Sequence, residues 1–130
     1  MYINQRDWAR IEEHPIVEKL VENDSNYGIV VYLKPFELQI NAYDGRRGEK
    51  RTIPGGRILI KTNLKHRGPM TRFLERIGSH KLHHPNVRLE DSCSVCLGNI
   101  SPMISYHLKN KHYTIVVYTL LEFVQVCNST

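Results

Sequence analysis

Hydrophobic and polar positions change their spacing along the chain, and each change predicts an element. Between residues 4 and 22, Trp8, Ile11, Leu20 and Val21 stand among charged side chains in a helical pattern. Pro15 interrupts it, and because proline lacks an amide hydrogen and clashes with the preceding turn, a kinked helix or two short helices are expected. Asn23-Asp24-Ser25-Asn26 is turn chemistry, since short polar side chains hydrogen-bond the local backbone. From Ile29 to Leu33 the residues are β-branched or large and apolar; after Pro35, Phe36, Leu38 and Ile40 alternate with polar residues, the period of a strand with one face buried. Arg57-Ile58-Leu59-Ile60-Lys61 predicts a third short strand, and Asp44-Gly45, Gly48 and Pro54-Gly55-Gly56 predict the turns around it. Short strands joined by tight turns predict an antiparallel meander.

Beyond Thr71 the period fades, and residues 78–98 show neither helical nor strand spacing, which predicts a long ordered loop of the kind that often carries function. Helical spacing returns at the end, where Val116, Leu120, Phe123, Val124 and Cys127 fall on one face. Tyr113 to Tyr118 is rich in β-branched residues and also fits a strand. No repeat, low-complexity tract or linker divides the chain. The expectation is therefore a single α+β domain over residues 1–130, made of an N-terminal helix, an antiparallel β-meander, a long loop and C-terminal helices.

Composition narrows the class. A chain of 130 residues, 41% apolar and 24% charged, buries a core without disulfide staples, which excludes fibrous and wholly disordered readings. Uninterrupted apolar stretches such as Ile29 to Leu33 fall far short of the roughly 20 residues that cross a bilayer. The first 20 residues hold Arg6, Asp7, Arg10, Glu12 and Glu13 and no apolar secretory core, so a cytoplasmic protein is expected. Three cysteines, at 93, 96 and 127, form no disulfide framework. The net charge of +5 is uneven: residues 46–84 hold eleven Lys and Arg against Glu49 and Glu75, while residues 1–24 hold six acidic side chains against Arg6, Arg10 and Lys19. A basic segment attracts phosphate or an acidic protein, or is simply a solvated face. Arg46, Arg47, Lys50 and Arg51 are expected at a solvated hairpin tip.

The pointed chemistry lies between His83 and His112, and two readings compete for the same sulfur. In the first, Cys93 and Cys96 with His107 and His112 follow the order of ligands in zinc modules, which predicts a zinc-dependent nucleic-acid-binding module. A spacing of five sets His107 and His112 about 140° apart on an ideal helix, so a distorted turn is needed to bring them together. Such a module also leaves most of the preceding chain unexplained. In the second reading Cys96 is a nucleophile, Cys93 a bystander, Cys127 a buried small side chain, and His107 and His112 surface residues beside Lys109 and Lys111. The cluster His80, His83 and His84 is a further metal candidate with less support.

The second reading has a family resemblance behind it. His84-Pro85-Asn86-Val87 followed by Val95-Cys96-Leu97-Gly98 resembles the active-site stretch of ubiquitin-conjugating enzymes, in which a His-Pro-Asn segment precedes the acceptor cysteine. Pro54-Gly55-Gly56-Arg57-Ile58-Leu59-Ile60, Arg72-Phe73 and the closing Leu121-Glu122-Phe123 with Asn128 extend the resemblance, which is similar to the divergent prokaryotic or viral branch of that fold. The resemblance implies a transferase that conjugates a ubiquitin-like protein through a thioester on Cys96. It implies that Asn86 orients the loop or supports the oxyanion, and that His84 fixes the loop. Partners implied are a ubiquitin-like protein, an adenylating activating enzyme, and a target protein or ligase, with neither cofactor nor metal; a basic 46–84 segment leaves nucleic acid open. An inactive adaptor of the same fold is the remaining expectation.

Overall fold

The computed structural model describes residues 2–41, 47–63, 71–73 and 101–128. Helix α1 spans Gln5–Glu12 and starts where Asn4 accepts a 2.7 Å hydrogen bond from the backbone N–H of Asp7. This side-chain cap satisfies one of the donors that a helix start leaves without an intrahelical partner. The helix ends before His14-Pro15, because a residue preceding proline is pushed out of the helical region. Strand β1 follows at Val17–Asn23, a correction to the helix expected over 4–22. Its register against β2 (Gly28–Leu33) shifts between Val17 and Lys19, so an extra residue bulges there and both Val17 and Leu20 are buried. The bulge turns a two-residue period into a three-residue spacing, which looks helical in the sequence.

Between β1 and β2, Asp24–Asn26 forms a single 3-10 turn capped by Asn23, whose side chain accepts from the N–H of Asn26, as its turn chemistry predicts. Strand β3 (Phe36–Asn41) and strand β4 (Arg47–Ile53) then leave the sheet as an antiparallel pair before β5 (Gly56–Lys61) returns to lie beside β2. Strand β6 (Thr71–Phe73) adds to β5. The first sheet is thus fully antiparallel in the order β1-β2-β5-β6, and a second sheet has the order β4-β3-β7. The expected single meander is corrected accordingly: β2 pairs with β5 across the intervening β3 and β4. Two glycines permit this return. A Cβ on Gly28 would stand 2.0 Å from the carbonyl oxygen of Ile60, and Gly55, at φ +103°, turns the chain against the carbonyl of Leu33.

Helix α2 (Ser101–Lys109) and helix α3 (Tyr113–Gln125) complete the fold, and β7 (Val126–Asn128) follows α3 directly to pair in parallel with β3. Val116, Val117, Leu120, Leu121 and Val124 of α3 are buried in one core with Ile29, Val31, Leu33, Ile58 and Ile60 of the antiparallel sheet and Ile11 of α1. Tyr113 to Tyr118, compatible with a strand by composition, is helical because its apolar residues continue that buried face. Cys127 is not on the helix but in β7, which corrects its expected place on the apolar helical face. Arg47, Lys50 and Arg51 lie within β4 rather than at a hairpin tip, and exposed Lys50 stands 4.0 Å from Glu37. Arg46, the Asp44-Gly45 turn and the long loop expected at 78–98 lie outside the described residues. The molecule is α+β with an antiparallel sheet and helices; among the described residues no helix is long and apolar enough to cross a membrane.

Candidate functional site

Strand β6 ends at Phe73 and α2 begins at Ser101, and the sequence between them carries the motifs singled out for nucleophilic chemistry. His84, Asn86 and Cys96 lie there, outside the described residues, as do Cys93, His80 and His83. What the structure describes are the two supports of that connection. On one side, β6 is joined to β5 by the pairs Ile58 with Phe73, Leu59 with Arg72 and Ile60 with Thr71. On the other, α2 packs beside α3, with Ile104 and Leu108 buried in the common core.

His107 and His112 are described, and the structure brings them together. Their Nδ1 atoms are 3.0 Å apart, within hydrogen-bond distance, so one ring donates and the other accepts. The backbone explains how a spacing of five achieves this. At the end of α2 the N–H of Lys111 donates to the carbonyl of Leu108 at 3.1 Å, and the N–H of His112 donates to the carbonyl of His107 at 2.8 Å. Lys111 takes the left-handed conformation, φ 60°, that such a paired-bond cap requires. The chain reverses over its own last turn and sets His112 above His107, where helices closed this way commonly seat an apolar contact. His112 also begins α3, since its carbonyl accepts the N–H of Val116 at 3.1 Å. One residue therefore ends one helix and starts the next.

The two imidazoles have an aromatic flank. Tyr106, 60% exposed, stands edge-on to His107 with ring centroids 5.1 Å apart, and its centroid is 6.5 Å from that of His112. Exposed Lys109 and Lys111 border the turn. Among the described residues no group of three or more His, Cys, Asp or Glu side chains is arranged to hold a metal ion. The sequence expects surface histidines beside Lys109 and Lys111, or a distorted turn that brings the two rings together; the structure has the turn, and the rings meet. A signal existed in the spacing, but the reversal hangs on a lysine where glycine ordinarily marks such a cap, so the sequence hides it.

Two further clusters were not singled out by spacing or motif. On the sheet, the aligned positions Lys19, Tyr32 and Arg57 form a row in which the Lys19 ammonium lies 4.6 Å and the Arg57 guanidinium carbon 5.9 Å from the centre of the Tyr32 ring. The positive heads attract the negative face of the ring, which holds both side chains over it. Lys61, the buried charged side chain of β5, is 3% exposed. Near α1, His14 lies edge-on to Tyr118 at 4.8 Å, and its Nδ1 accepts the N–H of Ile16 at 3.2 Å. Burial pushes this imidazole below the ordinary histidine range, against the pull of the Glu122 carboxylate. A ring nitrogen committed to the backbone in this way makes His14 a structural residue. No protein-family model, curated protein or solved structure matches the chain.

Proposed function

We propose that this protein is a conjugating enzyme for a ubiquitin-like protein, of the ubiquitin-conjugating-enzyme-like fold, with Cys96 as the acyl carrier. One observation carries the reading, namely the succession of parts. A helix is followed by four antiparallel strands in the order β1-β2-β5-β6, then two helices, with the short β7 after them joined to the second sheet. His84-Pro85-Asn86-Val87 and Val95-Cys96-Leu97-Gly98 are written between the last of those strands and the first of those helices. The hairpin of β3 and β4 is then an insertion between the second and third strands of that sheet.

In this reading Cys96, once its thiol has given its proton to a base, attacks the thioester carbonyl by which an activating enzyme holds the C-terminus of the ubiquitin-like protein. The new carbon–sulfur bond forms as the old one breaks, and the activating enzyme's thiolate leaves. An amine of the target then adds to the same carbonyl; the tetrahedral oxyanion collapses, the Cys96 thiolate departs, and an amide remains after the nitrogen gives its proton to a base. Sulfur suits both halves, because a thiolate is strongly nucleophilic and a thioester stays reactive toward amines. Asn86 supplies a hydrogen-bond donor to the oxyanion or orients the loop, and His84 holds the loop.

The test is incubation with an adenylating activating enzyme, its ubiquitin-like protein and ATP. The expected product is an adduct that thiols cleave; Cys96→Ser replaces it with a thiol-resistant ester or abolishes it, and Cys93→Ser retains it. An adduct that requires Cys93 and not Cys96 overturns the assignment, and no adduct with any activating enzyme of this class leaves the scaffold as a binding adaptor rather than an enzyme.

A further inference from the structure

We propose that His107 and His112 form a two-imidazole chelate for a divalent transition metal of the zinc, nickel or copper(II) class, built by the reversal between α2 and α3 and independent of Cys93 and Cys96. The site does not rest on the conjugating-enzyme reading. Its basis is the 3.0 Å separation of the two Nδ1 atoms together with the backbone that enforces it.

The separation suits a shared ion. Zinc binds imidazole nitrogen at about 2.0–2.1 Å, so two nitrogens on one ion stand about 2.9 Å apart at a right angle and about 3.3 Å apart at the tetrahedral angle. The observed distance lies inside that range, and to share an ion each ring turns so that its Nδ1 lone pair leaves the line between the two nitrogens by roughly 40°, the hydrogen bond being given up as the ion enters. Imidazole is a borderline ligand that zinc, nickel and copper(II) all accept, whereas calcium and magnesium prefer oxygen. Metal binding requires that the ring donating from Nδ1 move its proton to Nε2, a change of tautomer with no net proton released from a neutral pair.

The scaffold is prepared for this. His107 lies in the last turn of α2, held by the helix and by the cap bonds at Leu108 and His107. His112 is fixed from both sides, by its N–H to His107 and its carbonyl to Val116. Neither backbone needs to move, so little ordering is lost when an ion binds. The end of α2 favours positive charge while the start of α3 opposes it, and these two contributions offset. Lys109 and Lys111 also oppose a dication, but both are exposed and screened by water and salt. With no third ligand among the described residues, the ion keeps solvent in its other positions and exchanges readily.

The experiment titrates the full chain with ZnCl2 and with NiCl2 by calorimetry under a non-chelating reductant, for the wild type and for Cys93→Ser/Cys96→Ser. Both proteins are expected to bind one equivalent at the histidine pair, with thermal unfolding shifted upward because the ion binds only the folded turn. Adding His107→Gln or, separately, His112→Gln to the double-serine variant is expected to abolish that equivalent while circular dichroism shows an unchanged fold. Absence of saturable binding by the double-serine variant overturns the proposal. If the wild type alone then binds and loses its metal with either histidine substitution, the ion belongs instead to a four-ligand site of two cysteines and two histidines. Binding that survives both histidine substitutions also overturns it. None of these outcomes touches the thioester assay, in which Cys96 alone is decisive.

Discussion

The endings of α1 and α2 both place histidine at a helix terminus and use it in opposite ways. At the end of α1 the backbone closes the turn, Glu13 donating to the carbonyl of Arg10 at 3.2 Å and His14 to that of Ile11 at 3.1 Å; beyond it the His14 ring accepts the N–H of Ile16 and leans edge-on against Tyr118, whose hydroxyl donates to the carbonyl of Arg10 at 2.8 Å. The imidazole substitutes for a backbone acceptor, and Pro15 beside it has no donor to offer. At the end of α2 the backbone closes itself through Lys111 and His112, and the two imidazoles are left with each other. A histidine consumed by its own turn stabilises structure; histidines that the turn merely presents are available to a ligand. His14 and His112 both stand just beyond a helix end, and the hydrogen bonding of their rings distinguishes them.

Burial makes the first ending the more costly to disturb. Ile11, 0% exposed, lies in the last turn of α1, and Ile11→Ala is expected to destabilise by roughly 2–5 kcal/mol in urea unfolding. His107→Gln at the second ending is expected to lose less than about 1 kcal/mol, since one exposed hydrogen bond is removed. Equal losses for the two would erase the contrast. A smaller effect, of opposite sign, is expected at Lys111. Left-handed backbone is unfavourable for a side chain with a Cβ, and Lys111→Gly relieves it, raising stability by about 0.5–1 kcal/mol after the glycine's own entropy is counted. A measured loss would mean that the lysine side chain contributes more than its backbone strain removes.

The smallest effect is a pH dependence at the first ending. His14 has its folded pKa below the ordinary value of about 6.5. The unfolded chain therefore takes up the proton first as pH falls, so the stabilisation is complete above that value and declines as pH drops through the window down to the folded pKa. The ring is only partly buried, and solvent screening limits the size of the effect. Urea unfolding from pH 8 to pH 5 is expected to show a steeper decline for the wild type than for His14→Asn. Parallel curves would remove His14 from the account of that turn.

The sequence was legible where residues act through their own period or turn chemistry. Ile29 to Leu33, Arg57 to Lys61, the Asn23 to Asn26 turn and the buried face of Val116, Leu120 and Val124 all follow from local pattern. It failed where backbone irregularity changed the period. The bulge before Lys19 made a strand look helical, and the cap at Lys111 made a distance of about 140° on a helix into a contact. Pairing was also hidden, because β-branched residues announce a strand without naming its neighbour, and the close approach of Gly28 to β5 is visible only in the structure. For the conjugation chemistry, the His84 to Gly98 motifs remain statements about sequence, since those residues lie outside the described ones. The histidine pair is the reverse case: weak as a motif, it gains its meaning from the turn that brings the rings together.

Helix α3 passes into β7 with no residue between Gln125 and Val126. Advancing the chain by one residue would turn a helix about 100° and move it about 1.5 Å along its axis, but would slide a strand by about 3.3 Å and exchange its two faces. Gln39, Ile40 and Asn41 hold β7 in one alignment through their parallel pairing, so they also fix the angular setting of α3 against the sheet. Rotation of the last helix and slippage of the second sheet are thus a single mechanical degree of freedom, coupled like a screw to its nut, and any insertion at that junction would have to disengage both.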